Sequence, residues 1–228
     1  MIRLALLLSA TALLGAAQRG SAQASTDPWT SEFVVDRTRL VATGASRYFI
    51  LDPGYEAVLE HGDERLVVTV TNDTRLVDGV TTRVVEERET RGKTLVEVSR
   101  NFFARDSKTG DVYYFGEDVD NYKGGRVVSH EGGWQAGKAG ARFGLFMPGI
   151  PAAGRRYYQE IAPKVAMDRV RITAVDATLQ TPAGSFKECV RLEETTPLEP
   201  GVKDYKLFAP GVGLIQDGSL TLVRYGRR

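Results

Sequence analysis

Cysteine is nearly missing from this chain of 228 residues, in which Cys189 stands alone. One thiol cannot close an internal disulfide, so no such bridge supports the fold. Cys189 reads as a small, buried strand residue. Histidine is almost as scarce, with only His61 and His130. No C-x-x-C or H-E-x-x-H spacing accompanies them, and His61-Gly62-Asp63 reads most simply as a hairpin turn, so neither a metal nor a cofactor is expected. Charge of one sign is missing too. Lys and Arg number 30 against 29 Asp and Glu, which leaves no electrostatic footprint for nucleic acid. There is no G-x-S-x-G, no phosphate-binding loop and no dinucleotide fingerprint; Gly211-Val212-Gly213 lacks the third glycine.

Long apolar runs are confined to the start of the chain. Arg3 precedes an uncharged apolar stretch over residues 4–16, and Ala22-Gln23-Ala24 forms a small-x-small site before Ser25. This is the layout of a secretory signal peptide over residues 1–24, with cleavage after Ala24. A lipid-anchor cysteine would have to stand where Ser25 does. No later run reaches the about 18 apolar residues that a membrane span needs. The expected product is therefore periplasmic or secreted, with no membrane span in its mature form, and monomeric. Residues 25–47 read as a polar lead-in docked through Trp29 and Phe33. Residues 48–228 read as a single β domain, long enough to bury its own core.

What is abundant is a grammar of short Val-, Thr-, Tyr- and Phe-rich runs punctuated by turn dipeptides. Val67–Thr71 leads to Asp78-Gly79, Thr82–Glu86 to Arg91-Gly92, and Val112–Phe115 follows Thr109-Gly110. Later runs end at Gly124-Gly125, Pro182-Ala183-Gly184, Pro200-Gly201, Pro210-Gly211 and Asp217-Gly218. Gly and Asp tolerate the positive φ of tight hairpins, and β-branched and aromatic residues suit a pleated, half-buried surface. Val170 and Ile172 alternate with polar neighbours, which turns one strand face inward. The pattern predicts an all-β fold, a single antiparallel meander forming a strongly curved sheet, or half-barrel. The alternative is a β-sandwich, and a few short helices are allowed. Residues 155–170 are the best helical candidate, although Pro163 interrupts them.

Residues 132–154 look different. Seven glycines and two prolines fill this stretch, together with Trp134, Phe143, Leu145, Phe146, Met147 and Ile150. A loop this long has a task or is packed down. Its apolar residues must cover either the body's core or a ligand, so Trp134, Phe143, Phe146, Met147 and Ile150 are the candidate ligand-binding residues.

Acidic groups give a weaker constellation. Asp106–Asp111 begins like a calcium loop, but Lys108 and the missing bidentate carboxylate argue for a polar turn. Asp106, Asp111, Glu117, Asp118 and His130 nevertheless compose a third possibility, a metal-binding protein or a hydrolase. Glu86-Glu87 and Glu193-Glu194 make no catalytic pairs, since neighbours on a strand point to opposite faces.

Several motifs carry a resemblance. They are Leu76–Val85, Phe103–Asp106, Val112–Asp118, Met147-Pro148-Gly149, Thr181–Phe186, Glu194–Gly201 and Ala209–Leu214. Together they resemble a family of exported bacterial all-β proteins, over residues 48–225. The resemblance implies export and an all-β fold. It carries no catalytic residues. At the level of fold style alone, the chain is similar to the half-barrels of periplasmic lipid and lipoprotein carriers. The leading functional expectation is a non-catalytic binding or carrier domain of the cell envelope for an apolar or lipid-like ligand. The alternative is a structural or protein-interaction module of the periplasm that engages an envelope protein through a sheet edge.

Overall fold

The computed structural model describes residues 29–227. The expected signal peptide, residues 1–24, lies outside the described residues. After one 3-10 turn (Arg37–Arg39), capped by the Asp36 carboxylate, come β1 (Leu40–Val41), β2 (Ala45–Ser46) and β3 (Phe49–Ile50). The long strands follow: β4 (Tyr55–His61), β5 (Glu64–Val77), β6 (Val80–Arg91), β7 (Thr94–Asp106) and β8 (Val112–Lys123). Five short strands come next: β9 (Arg126–Ser129), β10 (Trp134–Gln135), β11 (Arg142–Met147), β12 (Arg156–Tyr158) and β13 (Glu160–Ile161). The chain ends with β14 (Arg169–Thr181), β15 (Gly184–Thr195), β16 (Asp204–Ala209), β17 (Gly213–Asp217) and β18 (Leu220–Arg227).

The fold is all-β, and the meander is one strongly curved antiparallel sheet nearly closed into a barrel. Its order is β12-β14-β15-β16-β17-β18-β4-β5-β6-β7-β8-β11-β13. The two ends of that path, β12 and β13, are separated in the chain by Gln159 alone. Tyr157 pairs with Val170 of β14, while Glu160 pairs with Phe143 of β11. The segment 156–161 therefore spans the seam. Tyr157 Oη and Gln159 Nε2 both donate to the Phe146 carbonyl, at 3.5 and 3.3 Å, and tie the seam to β11. Gly144 lies opposite, where a Cβ would collide with the Tyr158 and Gln159 carbonyls.

The turn chemistry acts as the sequence demands. Asp78-Gly79 and Gly124-Gly125 adopt positive φ at both positions, the mirror-image turn that matches strand twist. Val170 and Ile172 are fully buried. Among the described residues there is no α-helix. Residues 155–170 hold β12, β13 and a turn, because β14 and β11 take up their backbone groups and Pro163 has no N–H to give. Two apolar clusters stabilise the sheet. The larger contains an aromatic knot in which Phe49, Phe103, Tyr114 and Phe208 surround Phe146 at ring separations of 4.8–6.2 Å. The smaller gathers Cys189, Ala177, Leu179 and Phe186 of the β14–β15 hairpin against Leu207, Leu220, Leu222, Leu59 and Leu66. Cys189 is fully buried, and burial raises its thiol pKa.

Candidate functional site: a cavity beside Trp134 and Glu117

The stretch 132–154 is not the irregular loop that its glycines and prolines imply. Trp134 and Gln135 form β10 against β8, and Arg142–Met147 form β11, an internal strand between β8 and β13. Gly144 and Gly149 serve close backbone approach, and so does Gly116 on the neighbouring strand. Gly116 of β8 has φ +139°, and a Cβ there would strike the Trp134 carbonyl. Only a residue without a side chain lets β10 lie so near.

Gly116 also belongs to a bulge. Asn101 pairs with Glu117 and Phe103 with Tyr114, so β8 carries one residue more than β7 between those pairs. The extra residue turns Tyr114 and Glu117 to the same side of the sheet. Glu117 then stands opposite Trp134 in register.

Beyond this pair lies a cavity of about 620 Å³. It sits between the second half of β8, residues 130–141 and the turn that follows β13. Its apolar wall comes from Val119, Trp134, Ala141, Ala162, Pro163 and Val165. Its polar wall comes from Arg100, Glu117, Asp118, Asp120, His130 and Lys138. No side-chain hydroxyl or thiol is in that lining, so the site offers no Ser, Thr or Cys nucleophile.

Most of the polar wall is already paired. Arg100 Nη1 donates to Asp120 Oδ2 at 2.9 Å, and His130 Nδ1 lies 3.0 Å from Asp120 Oδ1. The Arg100 hydrogen bond, then its charge and that of His130, holds the Asp120 carboxyl below the usual carboxylate range. Asp118 accepts from Gln135 Nε2 at 3.2 Å, and Lys138 Nζ donates to Gln135 Oε1 at 2.6 Å.

Glu117 is the exception. It is 1% exposed, and neither carboxyl oxygen has a hydrogen-bond partner among the described residues. The nearby Tyr114 hydroxyl donates to Asn101 Oδ1 at 2.6 Å. Burial pushes the Glu117 carboxyl up to about 8, and the Tyr114 hydroxyl, which works the other way, does not offset it. Trp134 is buried as well, and its indole N–H also lacks a partner. Glu160, on the seam, accepts the Asp168 N–H at 2.9 Å, and burial, with the Asp168 charge adding to it, raises its pKa well above the usual carboxylate range despite that hydrogen bond.

The five expected ligand-binding residues separate. Trp134 lines the cavity. Phe143 stacks on Phe115 at 4.9 Å, Phe146 sits in the aromatic knot, and Met147 is fully buried. Met147 belongs to the core, whereas Phe143 and Phe146 are half-buried and pack against it, and Phe143 also lines a smaller cavity of about 300 Å³ with Phe33, Arg37 and Arg142. Ile150 is 85% exposed and touches neither the core nor the cavity. Of the acidic constellation, Glu117, Asp118 and His130 meet at the cavity, but Asp106 and Asp111 do not. Asp106 Oδ1 accepts the Lys108 and Thr109 N–H groups, its Oδ2 binds Arg39, and Asp111 accepts the Gly149 N–H. These are turn and tether contacts. Arg100 and the 162–165 turn escape a sequence reading, because sheet pairing and barrel closure bring them to the cavity from distant positions.

No family model, no curated protein and no solved structure matches this chain. Among the described residues, no helix is long and apolar enough to cross a membrane.

Proposed function

We propose that this chain is a non-catalytic binding domain of the cell envelope that holds a small ligand with an apolar body in the cavity beside Trp134. The cavity volume of about 620 Å³ carries the reading. That volume falls within the range of small-molecule sites, and a mixed lining with an apolar side and a polar side suits a ligand with an apolar body and a polar end. Burial of apolar ligand surface, at about 25 cal/mol per Å², supplies the driving force without reaction chemistry. Export is supported by the charged start, apolar run and small-x-small site of residues 1–24, and by the resemblance to exported bacterial β proteins.

The test uses the neutral fluorophore N-phenyl-1-naphthylamine and a Trp29→Phe background, which leaves Trp134 as the sole tryptophan. Saturable uptake, with quenching of Trp134, is the expected result. Val165 is exposed at the cavity mouth, so Val165→Trp should abolish uptake without loss of melting temperature. Absence of uptake at high micromolar fluorophore, or uptake unchanged in Val165→Trp, overturns the assignment. Export is checked by the N-terminal sequence of the secreted chain, which should begin at Ser25.

A further inference from the structure

Every charged group in the cavity wall has a partner except one. Arg100 is paired with Asp120, His130 Nδ1 lies 3.0 Å from Asp120 Oδ1, Asp118 is held by Gln135, and Lys138 leans on Gln135. Glu117 has no ion-pair partner among the described residues, and the one hydroxyl beside it, that of Tyr114, is directed to Asn101. A buried, unpaired carboxyl costs stability that the fold recovers only if something else uses it.

The groups that face Glu117 define what could use it. On the same side of the sheet, Tyr114 comes from its own strand and Asn101 and Glu97 from β7, whereas Asp118, Asp120 and Arg100 reach the cavity lining from the other side. From β6 comes Glu87, and from β13 comes Glu160. Residues 130–138 contribute His130, Gln135 and Lys138. Glu87, Glu97 and Glu160 all act on the Glu117 environment with the same sign, and they oppose ionisation of its carboxyl. The cations nearby, Arg100 and Lys138, are engaged elsewhere. Among the described residues, no cation pairs with the Glu117 carboxyl.

Aromatic rings stand at the same place. Trp134 packs edge-on to Tyr114 at 5.2 Å, and Trp134 is paired with Glu117 across β10 and β8. An indole ring on the residue that pairs with a carboxylate can attract an organic ammonium group, through the ring quadrupole and the opposite charge together. On the reading of the cavity as a binding site, we propose that its ligand is an organic cation, with an alkylammonium head against Glu117 and Trp134 and an apolar chain along Val119, Ala141, Ala162 and Val165.

The inference couples binding to proton release. The carboxyl stays largely protonated at neutral pH, and a cation that enters must displace that proton. Affinity for a permanent cation should therefore rise by about tenfold per pH unit from pH 6 to 8 and then level off.

The test measures calorimetric binding of octyltrimethylammonium, 1-octanol and octanoate to the full-length protein at pH 8.5. The expected order places the cation at least about tenfold tighter than the alcohol, which in turn exceeds the carboxylate. Glu117→Gln should erase the preference for the cation and its pH dependence, and retain alcohol binding. The comparison of three ligands on the unaltered protein does not depend on that variant's folding. If octanol or octanoate binds as tightly as the cation, the ammonium assignment is overturned and the cavity remains a binding site. If none of the three binds at high micromolar concentration, the binding reading itself is overturned.

Discussion

Trp134 and Glu117 face one another in register across β10 and β8, and neither the indole N–H nor either carboxyl oxygen finds a hydrogen-bond partner among the described residues. Buried polar groups in native proteins are normally paired, and each orphan costs about 1–3 kcal/mol. Two orphans side by side, at a cavity wall, mark the place where the fold sacrifices stability. Trp134→Phe removes the unpaired donor and keeps a ring against Tyr114. It should lower stability by less than about 1 kcal/mol in urea melts, whereas Trp134→Ala should cost about 3–5 kcal/mol. Equal losses for the two substitutions would show that the N–H is bonded after all.

Glu117 makes a separate prediction about pH. Its folded-state carboxyl is raised to about 8, far above the value in an unfolded chain. Between those two values the unfolded protein binds fewer protons than the folded one, so stability is full below about pH 4.5 and falls as pH climbs toward 8. The slope from this group reaches at most about 1.4 kcal/mol per pH unit. Glu117→Gln should remove that part of the slope and be more stable than the parent at pH 8. Glu160 titrates in the same sense, so a smaller slope should persist. Chemical denaturation at pH 5, 6.5 and 8 measures both. A parent protein whose stability rises across this window would contradict the burial of Glu117.

The strands and hairpins were legible because their signals are local. Asp78-Gly79 and Gly124-Gly125 announce positive-φ turns, and Val170 and Ile172 announce an inward face. The stretch 132–154 was misjudged for a physical reason. Gly144 looks like a loop residue, but it is there to let the 158–159 carbonyls pass close to β11. Flexibility and tight packing both select glycine, and sequence alone does not separate them. The same ambiguity hid the division among the apolar residues. Phe143, Phe146 and Met147 lie on β11 and Trp134 on β10, and which of them reaches the cavity depends on how both strands pair with β8. The cavity's floor was half visible in Glu117, Asp118 and His130. Its far wall, Ala162 to Val165, arrives through barrel closure, for which no local signal exists.

Gly116 tests the argument about close approach. A Cβ at this position meets the Trp134 carbonyl, and the φ of +139° is one that side chains rarely adopt. Gly116→Ala should cost about 2 kcal/mol or more, through both the backbone conformation and the displacement of β10. In a Trp29→Phe background, Trp134 emission should shift to the red as β10 lifts away from β8. A silent substitution, with unchanged stability and emission, would mean that β10 is not held where the register places it.

Phe146 and Ile150 lie four residues apart and were grouped together as candidate ligand contacts, yet their surroundings differ completely. Phe146 is enclosed by Phe49, Phe103, Tyr114 and Phe208, while Ile150 is 85% exposed. Truncation of a ring in such a knot leaves a void that neighbours on rigid strands cannot fill. Phe146→Ala should therefore destabilise by about 3 kcal/mol or more. Ile150→Ser removes only water-exposed surface and should fall within about 0.5 kcal/mol of the parent. Neither residue lines the cavity. Binding of N-phenyl-1-naphthylamine should then survive Ile150→Ser unchanged, and survive Phe146→Ala wherever that variant remains folded. A loss of uptake in Ile150→Ser would return the ligand to the tip of the 148–151 turn and away from Trp134.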